Sequence, residues 1–156
     1  MASVGSSPDG KHIVSGSDDD TVRVWNAATG EVECVLEGHS GQATSVGFSP
    51  DGKRIVSGPD DDTVRVWNMA TGEVERVLEG HSRMVTSVVF SPDGTRIVSA
   101  SGDDMVRIWG TVTVEFEHVL EGHSRMVTSV AFSPNGARMY LAQTTIRSVS
   151  GMRLQG

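Results

Sequence analysis

Cysteine is almost missing from this chain. Cys34 stands alone among 156 residues, so no intrachain disulfide can form and the fold must be held by packing and hydrogen bonds. A single thiol fits a reducing compartment, and a cytoplasmic or nuclear location is the expectation. Basic charge is short as well. Thirteen Lys and Arg are scattered among twenty Asp and Glu, the net charge is −7, and no basic block occurs. Nucleic-acid binding draws its affinity from counterion release at a concentrated Lys/Arg face. Nucleic acid is therefore not an expected partner, and anionic membrane surfaces repel such a chain. No apolar run approaches the roughly 20 residues that span a bilayer, and no basic-then-apolar leader follows Met1. Aromatics amount to only 5%, and helical periodicity is absent throughout.

What the chain has in abundance is repetition. Ser-Pro pairs start at Ser7, Ser49, Ser91 and Ser133, each 42 residues from the last, and Gly-His pairs start at Gly38, Gly80 and Gly122. The three tryptophans, Trp25, Trp67 and Trp109, keep the same interval. Residues 7–48 and 49–90 agree at 34 of 42 positions, and residues 49–90 and 91–132 at 29. A period in this range marks repeat architectures, in which each unit is one supersecondary motif.

Each unit reads as short strands joined by tight turns. Ser45–Phe48 leads into Ser-Pro-Asp-Gly, with Pro and Gly where a β-turn favours them. Arg54–Gly58 is a second strand, closed by the acidic turn Asp60–Asp62. Thr63–Trp67, alternating and rich in β-branched residues, is a third. The turn at Ala70–Gly72 and a fourth strand over Val74–Leu78 complete an antiparallel meander. Such a sheet is apolar on both faces and cannot shield them alone. Stacking the copies does so.

The period, the Gly-His pair, the Ser-Pro-Asp-Gly turn and the Trp ending the third strand resemble WD-repeat (WD40) β-propellers, from about Ala2 to about Tyr140. The resemblance implies an all-β propeller arc of about four four-stranded blades, not closed as a single chain. Blade one runs over about 2–38, blade two over 39–80, blade three over 81–122, and a degenerate blade four over 123–156. It also implies a side-chain network in each blade: His39, Ser57, Asp61 and Trp67 in blade two, and His81, Ser99, Asp103 and Trp109 in blade three. Blade one keeps Ser15, Asp19 and Trp25 without an entering His. Blade four keeps His123, but Leu141, Thr145 and Gly151 align with the Ser, Asp and Trp, and its strands run on through Ala142, Ile146 and Val149.

Partner contacts in this family concentrate on the face where the loops entering each blade open. Carried over, that face holds Gln42, Thr44 and Asp60 in blade two, Met84, Thr86 and Gly102 in blade three, and Met126 and Thr128 in blade four. Arg83 and Arg125 lie beside them, where blade two has Gly41. Paired Met and Arg suit an interface, since Met adapts its shape and Arg supplies planar hydrogen bonding; Met84 and Met126 equally suit packing between blades.

Catalytic readings are weak by comparison. Ser40 follows His39, but the string recurs in three units and lacks the strained nucleophile elbow. Asp18–Asp20 and Asp60–Asp62 lack the ligand spacing of a calcium loop, and His12 and His118 have no Cys or His cluster around them. No cofactor or metal is expected, and no enzyme activity. The expected role is a protein–protein interaction module or scaffold within a larger WD-repeat protein, with a degenerate fragment of purely structural role as the alternative. Two uncovered end faces leave three arrangements open: more blades in a longer chain, a homodimer of arcs completing a ring, or an open monomer.

Overall fold

The computed structural model describes residues 3–113, 116–143 and 149–153, and every regular element among them is a strand. Blade one contains β1 (Val4–Ser6), β2 (His12–Gly16), β3 (Val22–Asn26) and β4 (Val32–Leu36). Blade two contains β5 (Ala43–Phe48), β6 (Arg54–Pro59), β7 (Val64–Asn68) and β8 (Val74–Leu78). Blade three follows with β9 (Val85–Phe90), β10 (Arg96–Ser101), β11 (Val106–Gly110) and β12 (Phe116–Leu120). Blade four shows three strands among the described residues, β13 (Val127–Phe132), β14 (Arg138–Gln143) and β15 (Val149–Arg153). Within each blade the strands pair antiparallel in chain order, and among the described residues no ladder joins one sheet to the next. No helix among the described residues is long and apolar enough to cross a membrane.

The first turn of each blade is locked by its own residues. In blade two Ser49 Oγ donates to Asp51 Oδ1 at 2.6 Å, Lys53 N–H donates to the same oxygen, and Arg54 N–H donates back to Ser49 Oγ at 2.9 Å. The same pattern recurs at Ser7, Ser91 and Ser133, with Asn135 replacing the Asp in the last. These bonds hold Asp9, Asp51 and Asp93 below the usual carboxylate range, the Ser hydroxyl contributing most; Asp93 falls to about 2.

Packing between blades is one interface used three times. Val14, Val22, Val24 and Leu36 of blade one meet Ala43, Val46, Ile55 and Trp67 of blade two. Shifted by 42, Val56, Val64, Val66 and Leu78 meet Val85, Val88, Ile97 and Trp109. Shifted again, Val98, Ala100, Val106 and Ile108 meet Val127, Val130, Met139 and Leu141. Each fully buried Val, Leu or Ile contributes about 1.5–3 kcal/mol relative to exposure. A β-bulge falls just before each Trp, and the indoles of Trp67 and Trp109 pack against the preceding blade. Polar stitches repeat the same shift along the inner strands: the amides of Val46, Val88 and Val130 donate to Ser3, Ser45 and Ser87 Oγ of the blade before.

At the two ends of the arc the interface lacks its other half. Val4 is 68% exposed, whereas Val46 and Val88, its equivalents, are 7% and 1%. Tyr140 is 38% exposed where Val56 and Val98 are fully buried. Blade four also slips in register. In blades two and three the Trp pairs with Ile55 or Ile97, but Met139 pairs with Met152, and Gly151 sits opposite Tyr140. The alignment of Gly151 with the tryptophans is thus corrected by one residue, because β15 begins one position later than the 42-residue period places it. Thr145 and Ile146 lie outside the described residues.

Candidate functional site

Two groups of residues carry the functional argument: the network buried within the blades and the loop face above it. In blade three Trp109 Nε1–H donates to Ser99 Oγ at 2.9 Å, Ser99 Oγ lies 2.8 Å from His81 Nε2, and His81 Nδ1 lies 2.9 Å from Asp103 Oδ2. Blade two repeats the chain through Trp67, Ser57, His39 and Asp61 at 2.7, 2.6 and 3.4 Å. A neutral imidazole with its proton on Nδ1 satisfies every member: the Ser hydroxyl accepts from the indole and donates to Nε2, while Nδ1–H donates to the carboxylate. Blade one retains the Trp25–Ser15 bond at 2.8 Å.

Electrostatics agree with that protonation state. Burial of the ring, helped by the nearby Arg65 cation, lowers His39 to about 4, against the opposing pull of Asp61. His81 is lowered for the same leading reason, burial, with Asp103 opposing. Burial raises Asp61, but hydrogen bonds from Thr63 and the Ser40 amide outweigh it and leave the carboxyl below its ordinary value. In Asp103 the bonds from His81 and the Ser82 amide do likewise. A Ser–His–Asp chain of this kind has no free nucleophile, because Ser57 and Ser99 are fully buried beneath the indoles.

Sequence reasoning missed several supports of this network. The Ser40 and Ser82 amides each donate to the Asp carboxylate at 3.1 Å, and Thr63 N–H donates to Asp61 at 3.2 Å. Arg65 reaches Asp61 at 3.6 Å and lies over Gly38, where an added Cβ would come within 2.7 Å of its guanidinium. Gly38 also has a φ of 142°, so the backbone favours glycine before the His. The Asp–Arg spacing of four residues, repeated at Asp19/Arg23, Asp61/Arg65 and Asp103/Arg107, was the available signal.

On the loop face the candidates divide. Thr44 Oγ1 donates to the carbonyls of Gly58 and Val85, Thr86 Oγ1 to that of Val127, and Thr128 Oγ1 to that of Ala142. These hydroxyls stitch strands within a blade or across to the next. Gln42 donates its amide to Asp18, and Asp60 is exposed beside it in the chain's next turn. Arg83 and Arg125 are exposed and form no ion pair among the described residues. Met84 is exposed and Met126 half-buried.

A glycine changes sides between blades two and three. In blade two it is Gly41, and a Cβ there would press to 3.0 Å on Asp61 N and 3.1 Å on Asp60 Cβ. In blade three residue 83 is Arg, and the glycine is instead Gly102, opposite it. A Cβ on Gly102 would meet Met84 Cγ at 3.5 Å, Arg83 Cβ at 3.6 Å and Met126 Sδ at 3.6 Å. Arg83, Met84 and Met126 therefore close around the place where Asp18 and Asp60 stand in the other blades.

No group of three or more His, Cys, Asp or Glu among the described residues is arranged to hold a metal ion. The stacked antiparallel meanders, with β1, β5, β9 and β13 innermost, define a β-propeller type of repeat protein. The model of the WD domain, G-beta repeat family matches residues 2–26, 30–68, 72–110 and 114–142, and the chain belongs to that family. WD repeats typically mediate protein–protein interaction and are generally non-catalytic modules. A search of curated proteins returned no match.

Proposed function

We propose that this chain is a non-enzymatic scaffold that binds other proteins through the loop face bearing Gln42, Thr44, Asp60, Arg83, Met84, Thr86, Arg125, Met126 and Thr128. The observation that carries the reading is where the blades differ. The networks of blades two and three are near copies, whereas the loops entering the blades exchange Gly41 for Arg83 and Arg125, Gln42 for Met84 and Met126, and Asp60 for Gly102. Catalysis is disfavoured because the polar groups in each network bind one another.

A photo-crosslinking side chain at Met84 tests this in cells. Crosslinks to other polypeptides are expected from that position and not from Ala70, in the turn at the opposite end of the strands. Equal labelling from both, or none from Met84, would leave the competing reading, a structural fragment without partners, which the broken network of blade four favours. The end faces support a second element of the proposal, that the arc works within a larger ring. A second copy completing the ring predicts a light-scattering mass of twice 16.6 kDa at micromolar concentration. A well-dispersed monomer with a cooperative melt would eliminate the homodimer.

A further inference from the structure

We propose that the blade-one end of this arc binds the blade-four end of a second copy of the chain, head to tail. The inference rests on the ring element of the reading above and deepens it, naming the two surfaces that meet and the direction in which the copies run.

Three kinds of contact join successive blades, and each has a giving half on the earlier blade and a receiving half on the later one. In the apolar layer blade two receives through Val46, Ile55 and Trp67, which are 7%, 0% and 1% exposed. Along the inner strands the hydroxyls of Ser3, Ser45 and Ser87 accept the amides of Val46, Val88 and Val130 in the blade that follows. At the Ser-Pro turns each proline lies against the turn glycine of the next blade. A Cβ on Gly52, Gly94 or Gly136 would meet Pro8, Pro50 or Pro92 at 3.6, 3.7 or 3.5 Å.

The two ends of the arc hold opposite halves of all three contacts. At blade one the receiving halves are uncovered: Val4 is 68% exposed, Ile13 and Trp25 are half-buried, and nothing lies within 4 Å of a Cβ on Gly10. At blade four the giving halves are left over. Tyr140 is 38% exposed in the place of the buried Val98. Among the described residues, Ser129 is exposed with no amide on its hydroxyl, and no turn glycine lies against Pro134.

The interfaces inside the arc show what covers such a face, namely the outward side of another blade of this repeat, and blade four presents that side. The match extends to register. All three contacts keep the 42-residue step, so a second copy set four repeats ahead brings its Val4 amide to Ser129 and its Gly10 to Pro134 in one placement. Two blade-one ends meeting each other would set receiving half against receiving half, with amides and no hydroxyls between them. The joint is therefore heterologous, and it closes when both ends of both copies are engaged.

Cross-linking on the full chain tests the direction. Every variant carries C34S; one adds V4C, another S129C, and a short bis-maleimide joins thiols that lie close together. Ser87 and Val130 hold the same positions across an interface inside the arc, so S87C with V130C in one chain calibrates the reagent. A mixture of V4C and S129C chains is expected to link, and neither variant to link to itself. Links between two V4C chains, links between two S129C chains, or none from the mixture overturn the proposal. Sedimentation gives an independent reading. V4K is expected to weaken association at least ~tenfold with an unaltered melt at dilution, because Val4 lies outside the arc's own core. V112K, at a valine 83% exposed on an outer turn, is expected to leave association unchanged; equal effects of the two count against the joint. A dimer by mass that links only through paired V4C chains would keep the homodimer and discard this direction, and cross-links from Met84 report on the loop face alone.

Discussion

The interface between blades two and three and the one between blades three and four solve the same packing problem with different chemistry. The first buries an indole, a hydroxyl and an imidazole that must all find one another. The second replaces the Ser position with Leu141, 1% exposed, and the Ile position with Met139, fully buried, so that aliphatic volume fills the layer. His123, which has no Ser or Trp to meet, is half-buried, whereas His39 and His81 are buried. A buried polar chain must be satisfied throughout or not built at all. Blade four follows the second course: once the hydroxyl is gone, leucine is a more stable occupant than an unpartnered serine.

That comparison can be broken most sharply at the indole. Trp109→Ala is expected to cost about 3–5 kcal/mol, since it empties the layer between blades two and three and takes the indole donor from the Ser99 hydroxyl. Urea denaturation measures it, and a loss below that of an ordinary surface change would show the Trp to be dispensable. Leu141→Ser, which makes blade four look more like its siblings, is expected to destabilise by about 2–4 kcal/mol, because buried aliphatic volume is lost and the new hydroxyl finds no indole. A gain in melting temperature would mean that blade four retains a hidden network.

Acid separates the blades by charge. His39 falls to about 4 when folded, against 6.5 for the ordinary residue. The unfolded chain therefore binds the proton first, and stability rises with pH through this window. Stability is expected to be full above about pH 6.5 and to decline as pH drops toward 4, by roughly 1–3 kcal/mol for this ring. Asp61 and Asp103, held low, add a further loss at still lower pH. Replacing His39 with Gln is expected to flatten the upper part of the profile, read as melting temperature against pH. The smallest contrast lies within one turn. Asp61→Ala is expected to cost about 1–3 kcal/mol, and Asp60→Ala to remain within about 0.5 kcal/mol. Equal effects would place the network on the wrong carboxylate.

Much of this was legible in the sequence for a definite reason. Strands and turns are local. Alternating Val, Ile and Trp residues, and Pro and Gly at fixed turn positions, specify a meander without knowledge of its neighbours, and the period of 42 dictates that the meanders stack. The loop face was legible only as a set of variable positions. That Thr44, Thr86 and Thr128 turn their hydroxyls onto main-chain carbonyls could not be read from spacing, because two of those bonds reach into the next blade. The one-residue slip of β15 was equally hidden, since a strict repeat alignment has no term for pairing register.

By itself, then, the chain's repetition determined the sheet, its turns and the members of the buried network, because those depend on contacts within a single unit. The tertiary structure alone decided how blade four fills its layer without a tryptophan, and that Arg83, Met84 and Met126 close over Gly102. Each of these depends on atoms brought together from different blades, and separation along a chain does not encode distance between blades.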